Sequence, residues 1–268
     1  MAYLYETHVH TRRVSGCASA RGRDYIRHYL DAGYSGIVVT DHFFRGNCRV
    51  NRKLPWPKWV KKFCRGFEET REEGARRGLD VFFGWEETFE GDDYLIYGLD
   101  KEWLLDHPEA CSWSRRDQYR AVQAAGGCVV HAHPFRQHEY IKEISLAPFL
   151  IDAVEVANAG NHEPYYDVLA LRYAAKFGLP ISAGSDIHHI RQAAAGDLYG
   201  VYLEEKPKSS AEFAAMLKKG GVRGAASLKT RAGRLESRGD EAITLPLKIL
   251  DENEDTVSRD FWDFLERG

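Results

Sequence analysis

The sequence predicts an α/β chain whose mainly parallel sheet closes into a barrel. Three observations lead there. Strand-like and helix-like segments alternate along most of the 268 residues. Several strand segments are continuous apolar runs, as expected when helices cover both faces of a parallel sheet. This many units in this length favours closure over an open sheet. The composition, 44% hydrophobic and 29% charged, is ordinary for a globular chain that can bury a sizeable core.

The elements follow in order. "YLYETHVH" alternates as a strand does. "ASARGRDYIRHYLDAG" places Tyr25, Ile26, Tyr29 and Leu30 at helical spacing and closes on Gly33. The β-branched run "GIVVTDHF" reads as a second strand. After a Pro/Trp loop comes a helix, "PKWVKKFCRGFEETREEGARRG", opened by Pro57 in its first turn and closed by Gly78. The strands "DVFFGWEETF" and "DYLIYGL" precede the helix "SRRDQYRAVQAAGG" and the strand "CVVHAHPF". The last set runs through the strand "DAVEVANA", the helix "PYYDVLALRYAAKFG", the strand "PISAGSD", the helix "SAEFAAMLKKG" and a short strand near "VRGAAS". From about Gly239 the composition turns acidic and polar and ends in "SRDFWDFLERG", an amphipathic stretch expected to pack as a helix on the barrel exterior, with a dimer contact as the alternative. Residues 1–238 thus read as one barrel domain and 239–268 as its tail.

The net charge of -3 supplies no global pull toward nucleic acid or a membrane surface. Five cysteines, Cys17, Cys48, Cys64, Cys111 and Cys128, form an odd, scattered set without a CxxC pair, which argues against a disulfide framework and a thiolate zinc cluster. The first residues enter a strand pattern at once, so no signal peptide fits, and no apolar run approaches the roughly 20 residues of a membrane span. The expectation is a cytoplasmic protein.

In a parallel barrel the C-terminal strand ends share one face, where the chemistry collects. Here five such ends carry carboxylate or imidazole. His8 and His10 close the first strand at i, i+2, one side of the ribbon, so both can bind one ion. Asp41 and His42 close "VVTDH", Glu86 and Glu87 close "FFGWEE", His131 and His133 close "VVHAHPF", and Asp186, His188 and His189 close the last strand. Any one pair is weak evidence; five in sequence argue for metal. His138 and His162 lie in loops on the same face, whereas His28 and His107 read as structural or surface residues.

The ordered set "HVHT", "GIVVTDH", "GWE", "VHAHPF" and "GSDIHH" resembles the PHP family, named for its polymerase and histidinol phosphatase members. The resemblance spans nearly the whole chain. It implies a distorted (β/α)7 TIM-like barrel with two or three divalent ions, zinc, manganese or iron, at the strand ends. Carried over, one ion takes His8, His10, Glu86 and Asp186; a second shares Glu86 and takes His133; a third takes His42 and His188. Two departures stand out. Where many members supply an acidic residue or His soon after the first motif, "HTRRVSGCAS" offers only Ser15 or Cys17, and after "DYLIYGL" the nearest substitute for a His is Asp100. Two ions are therefore the safer expectation. Glu86 and His133 are favoured over their neighbours Glu87 and His131, with His131 expected to support a ligand or touch substrate.

Adjacent divalent ions held by carboxylate and imidazole suit hydrolysis of a phosphate ester by metal-bound hydroxide, without a protein nucleophile. His189 or His162 is the expected acid for the leaving oxygen. Asp41 is expected to orient an imidazole. Arg136 in "HPFR" can grip phosphate with its planar fork. From Arg45 to Arg65 the chain carries eight Lys or Arg and no acid, with Trp56 and Trp59 among them. One expectation is a lid that holds a ringed phosphate compound; the other is a helix with a solvated basic face and inward Trp side chains. The leading reading is a phosphoesterase for a small phosphomonoester, such as histidinol phosphate or a nucleotide-like phosphate. A diesterase on nucleotides or oligonucleotide ends and a non-catalytic metal-binding module are the alternatives.

Overall fold

The computed structural model of the protein describes residues 2–227 and 243–260. The chain runs through β1 (Tyr3–Val9), α1 (Gly22–Asp31), β2 (Gly36–Val39), α2 (Trp56–Phe63), α3 (Arg65–Arg77), β3 (Asp80–Phe89) and β4 (Asp92–Tyr97). It continues with α4 (Lys101–Asp106), α5 (Arg115–Ala124), β5 (Cys128–Ala132), β6 (Ile144–Leu146), β7 (Ala153–Asn158), α6 (Tyr165–Phe177) and β8 (Ile181–Gly184). The final elements are α7 (Ile190–Ala195), β9 (Tyr199–Leu203), α8 (Ser210–Lys218), β10 (Val222–Ser227), β11 (Leu247–Leu250) and β12 (Thr256–Ser258).

Nine strands form one sheet in the order β10-β9-β1-β2-β3-β4-β5-β7-β8. Just beyond β8, Ile187 bridges to Val9, donating to the His8 carbonyl at 3.2 Å and accepting from the His10 amide at 3.0 Å. The sheet thus rolls into a nearly closed, distorted barrel. It is less parallel than the sequence predicts. The β3–β4, β4–β5, β1–β9 and β9–β10 pairings are antiparallel. The cause is local for β3 and β4: Glu90 and Gly91 both take positive φ, 55° and 101°, and a two-residue connection of this kind joins only antiparallel strands.

Side chains alternate between two cores. Tyr5, Leu95, Tyr97, Val130, Ala183 and Phe213 fill the barrel interior, while Phe83, Trp85, Tyr94, Ile96 and Val129 face the surrounding helices. Helix α2 presents Trp59, Val60 and Phe63 to that outer layer and leaves Lys58, Lys61 and Lys62 in water. Trp59 is fully buried, with its ring centroid 5.1 Å from Phe43 and 5.0 Å from Phe63. Trp56 stacks on Trp59 and donates its indole N–H to the Leu104 carbonyl at 2.6 Å. The expected substrate contacts of Trp56 and Trp59 are therefore corrected: Trp59 belongs to the core and Trp56 packs half-buried against it, because two aromatics at i, i+3 make one apolar helix face.

Residues 243–260 add β11 parallel to β6 and β12 antiparallel to β11. Leu247 and Ile249 enter the outer core. Glu254 accepts from the buried Arg115 guanidinium at 3.0 Å and from the Arg116 amide at 2.8 Å, in the first turn of α5. Ser258 belongs to β12, and the remainder of the expected amphipathic helix, from residue 261, lies outside the described residues. Among the described residues no helix is long and apolar enough to cross a membrane.

Candidate metal centre

All seven side chains expected to bind metal meet at one mouth of the barrel. The β1–β2 ladder shifts register between Glu6 and Val9, and His8 and His10 emerge fully buried, with their Nε2 atoms 3.0 Å apart. Glu86 of β3 places Oε1 3.1 Å from His8 Nε2 and Oε2 3.5 Å from His10 Nε2. Past β8, Asp186 Oδ1 stands 3.5 and 3.1 Å from the same two nitrogens. His133 Nε2 lies 3.4 Å from Glu86 Oε1 and 3.9 Å from both Asp186 Oδ2 and Asp93 Oδ2. His42 Nδ1 approaches Glu86 Oε2 to 2.6 Å, its Nε2 lies 3.1 Å from Cys17 Sγ, and the His188 ring stacks on His10 at 4.3 Å.

Partners behind the imidazoles fix which nitrogen faces the centre. His8 Nδ1 meets Glu155 Oε1 at 3.0 Å. His10 Nδ1 meets Ser15 Oγ at 3.1 Å, and Ser15 in turn donates to Asp41 Oδ1 at 2.6 Å. Asp41 thus orients an imidazole, through Ser15, and also accepts from the Thr11 amide and hydroxyl. With Nδ1 occupied, Nε2 of both rings keeps its lone pair for an ion.

The backbone bends sharply at this mouth. His133 and Asp186 take φ of 30° and 50°, a region β-carbon-bearing residues rarely occupy, and such strain concentrates at functional sites. Gly184 lets β8 approach: a β-carbon there would lie 2.5 Å from His8 Cβ and 2.8 Å from Glu155 Oε1.

Burial sets the electrostatics. His8 is desolvated, yet Asp186, Glu155 and Glu86 outweigh that and hold its pKa well above the ordinary value. Burial, with His188 and His42 beside it, drives His10 well below. Burial opposes the charge on Glu86, but His42, His8 and His10 hold the carboxyl well below its usual range. Burial lifts Asp93 to about 7, reinforced by Glu86. Cys17 is pulled down to about 7 because hydrogen bonds from His188 and His42 overcome its burial.

The donors fit divalent ions. Among the described residues neither oxygen of Glu86 has a hydrogen-bond donor, although four imidazole nitrogens surround them, and His42 Nδ1 is likewise unsatisfied. Buried lone pairs turned toward one another are costly unless a cation joins them. Two nitrogens on one ion at about 2.1 Å stand roughly 3.0–3.4 Å apart, as His8 and His10 do. Four overlapping groups have a suitable spacing: His8/His10/Glu86, His8/His133/Asp186, Glu86/Asp93/His133 and His10/His42/His188.

The centre opens into a cavity of about 680 Å³ whose outer wall includes Arg45, Thr88, Arg136, Tyr140, His162 and His189. Arg136 is committed to protein partners, Asp186 Oδ2 at 2.6 Å, Asn158 at 2.7 Å and Asn161 at 3.1 Å. His189 is exposed at the rim with Nδ1 2.8 Å from Ser19 Oγ, and His162 is exposed as well. Glu87 points away and accepts from the amides of Arg45 and Thr88.

Two expectations fail here. His131 does not reach the cavity. It is fully buried in the outer layer, stacked on Tyr94 at 4.7 Å, because the left-handed turn at His133 breaks the alternation that would have put both on one face. Asp100 does not stand in for a missing ligand; it caps α4, accepting from the Trp103 amide at 2.8 Å. Asp93 and Glu155 are the residues the sequence reading missed.

The chain is similar to a solved two-domain protein from Bacteroides vulgatus that contains a predicted PHP-like metal-dependent phosphoesterase. The TM-score is 0.62 at 17% identity, over 85% of this chain and 65% of that one. This chain has a PHP-like fold. It spans 65% of the length of that protein. A weaker likeness, TM-score 0.48 at 16% identity over 81% of this chain and 96% of the other, is to an amidohydrolase from Chromobacterium violaceum with bound sulfate and no metal. No family model and no curated protein matches the chain. The PHP-like barrel therefore rests on structure, and its chemistry on the residues at its mouth.

Proposed function

We propose that the protein is a metal-dependent phosphoesterase of the PHP type that hydrolyses a small phosphomonoester. The observation that carries this is the unsatisfied, fully buried Glu86 carboxylate at the junction of His8, His10, His42 and His133. Bound divalent ions, zinc, manganese or iron, supply Lewis acidity and a water of lowered pKa. The chain does the rest. His8, His10, Glu86 and Asp186 hold one ion; Glu86, His133 and Asp93 hold a second; His42 and His188 hold a third.

Three N–H groups of Arg136 are spent on Asp186, Asn158 and Asn161, which fixes the plane of the guanidinium. Its two remaining N–H groups serve a phosphoryl oxygen in the cavity. His189 or His162 at the rim protonates the leaving oxygen, since each is exposed and within the same cavity. A cavity of about 680 Å³ suits a compound of the size of histidinol phosphate or a mononucleotide.

The test is elemental analysis of the purified protein with a phosphate-release assay over a panel of monoesters, with and without chelator. Two or more ions per chain and chelator-sensitive release from monoesters support the reading. Metal-loaded protein inert on every monoester, or active only on diesters, rejects it.

A further inference from the structure

The loop from Thr11 to Ser19 brings a thiol to the His42/His188 side of the centre. Its backbone is pinned at both ends of the thiol: Arg49 donates to the carbonyls of Ser15 and Gly16, the Gly16 amide donates to Asn47, and the Ser19 amide donates to the His188 carbonyl at 2.9 Å. A β-carbon at Gly16 would fall 2.2 Å from Asn47 Oδ1, so the loop lies tight against its support. Between these anchors Cys17 Sγ stands 3.1 Å from His42 Nε2 and also faces His188. Ser15, the other candidate in this loop, is already bound to Asp41, to His10 Nδ1 and to the His42 amide.

Resting on the proposed metal centre, we propose that Cys17 is itself a ligand, and that Cys17, His42 and His188 form a thiolate–imidazole site for a soft divalent ion such as zinc or cobalt. His42 turns its two nitrogens to different neighbours, Nδ1 to Glu86 and Nε2 to Cys17. His188 engages Nδ1 with the Asp186 carbonyl at 2.8 Å, which leaves Nε2 for the ion. Binding converts the thiol to a thiolate and releases its proton to solvent. Sulfur favours zinc, cobalt and ferrous iron over manganese and magnesium, whereas the carboxylate-rich groups around Glu86 and Asp93 suit harder ions. The centre is thereby divided into a soft and a hard half.

The experiment loads metal-free protein with cobalt(II) and reads the near-ultraviolet thiolate-to-cobalt charge-transfer band. The wild type and Cys48→Ser are expected to show it, and Cys17→Ser to lose it together with one tightly held ion, whose affinity drops about 100-fold or more. Cys48 is the control because it lies beside the loop, bridged to Ser15. Should Cys17→Ser misfold, zinc protection of Cys17 in the wild type against alkylation, read by peptide mass spectrometry, decides the matter alone. Cobalt bound without the band, a band that survives in Cys17→Ser, or zinc that leaves Cys17 fully alkylated each overturns the thiolate ligand while sparing the metal centre. Protein that takes up no ion at all overturns both.

Discussion

The strand-end centre and the basic, Trp-bearing segment from Arg45 to Arg65 both stand out in the sequence, and they are built by opposite rules. In the segment, cations stay in water and aromatics turn inward: Lys58, Lys61 and Lys62 are exposed while Trp59 and Phe63 are buried. At the centre, imidazoles and carboxylates are taken out of water instead; His8 and His10 are 0% exposed and Glu86 1%. The first arrangement lowers free energy in any amphipathic helix and needs no ligand. The second raises it unless something repays the lost hydration. Polar groups buried against their own solvation are the functional signal, and sorted amphipathic charge is not.

The largest effect that would break this contrast is at Glu86. Glu86→Gln keeps the shape and removes the charge that two ion groups share. Loss of several kcal/mol of transition-state stabilisation corresponds to a drop of about 1000-fold in kcat/KM, with fewer ions retained per chain. The fold should survive, because an amide of the same shape replaces a buried carboxylate that accepts no hydrogen bond among the described residues; circular dichroism and metal analysis check this. Near-normal turnover would mean that the carboxylate is a structural residue like those of the segment.

Next in size is Trp59→Ala. The segment reading predicts a loss of about 3–5 kcal/mol in unfolding free energy, from the cavity left among Phe43, Phe63 and Trp56. In protein that remains folded, KM for a ringed phosphate should match KM for a plain aryl phosphate relative to wild type. A selective rise for the ringed compound would return the segment to the cavity mouth.

What the sequence revealed and what it hid follow the same physics. HxH at i, i+2 and the Asp-His pairs were legible because strand alternation and strand-end position survive in the fold. Asp93 was not, because a parallel-barrel reading looks only at C-terminal strand ends. Strand β4 runs antiparallel, so its N-terminal end, with Asp93 opposite Ala132, arrives at the same mouth. The short Glu90–Gly91 turn carried that information. Glu155 is legible only as an acid set between valines in the run "DAVEVANA". The place of His131 is hidden because no pattern in "VHAHPF" announces the left-handed backbone at His133. Trp56 and Trp59 are ambiguous because a lid and a core helix share one amphipathic spacing, and only the neighbours, Phe43 and Phe44, choose between them.

Glu87 sharpens the contrast with the smallest effect, because it joins the two regions without belonging to the centre. It follows Glu86 on β3 but faces the other way, 0% exposed, accepting the Arg45 amide with the Arg45 guanidinium 3.6 Å from Oε2. Burial pushes its carboxyl from 4.5 up to about 7, against those donors. The folded chain therefore keeps a proton that the unfolded chain gives up, so this contribution to stability is full below pH 4.5 and is lost as pH rises toward 7. Glu87→Gln has nothing to titrate, keeps an acceptor for the amides, and should lack up to about 3 kcal/mol of that decline. Denaturant unfolding of chelator-treated wild type and variant at a series of pH values isolates the difference, since all other groups titrate in both. Parallel curves would mean that Glu87 is ionised in the fold and that Arg45 neutralises it. In that event the segment supplies compensating charge to the strand end, and the two regions are electrostatically coupled rather than merely adjacent.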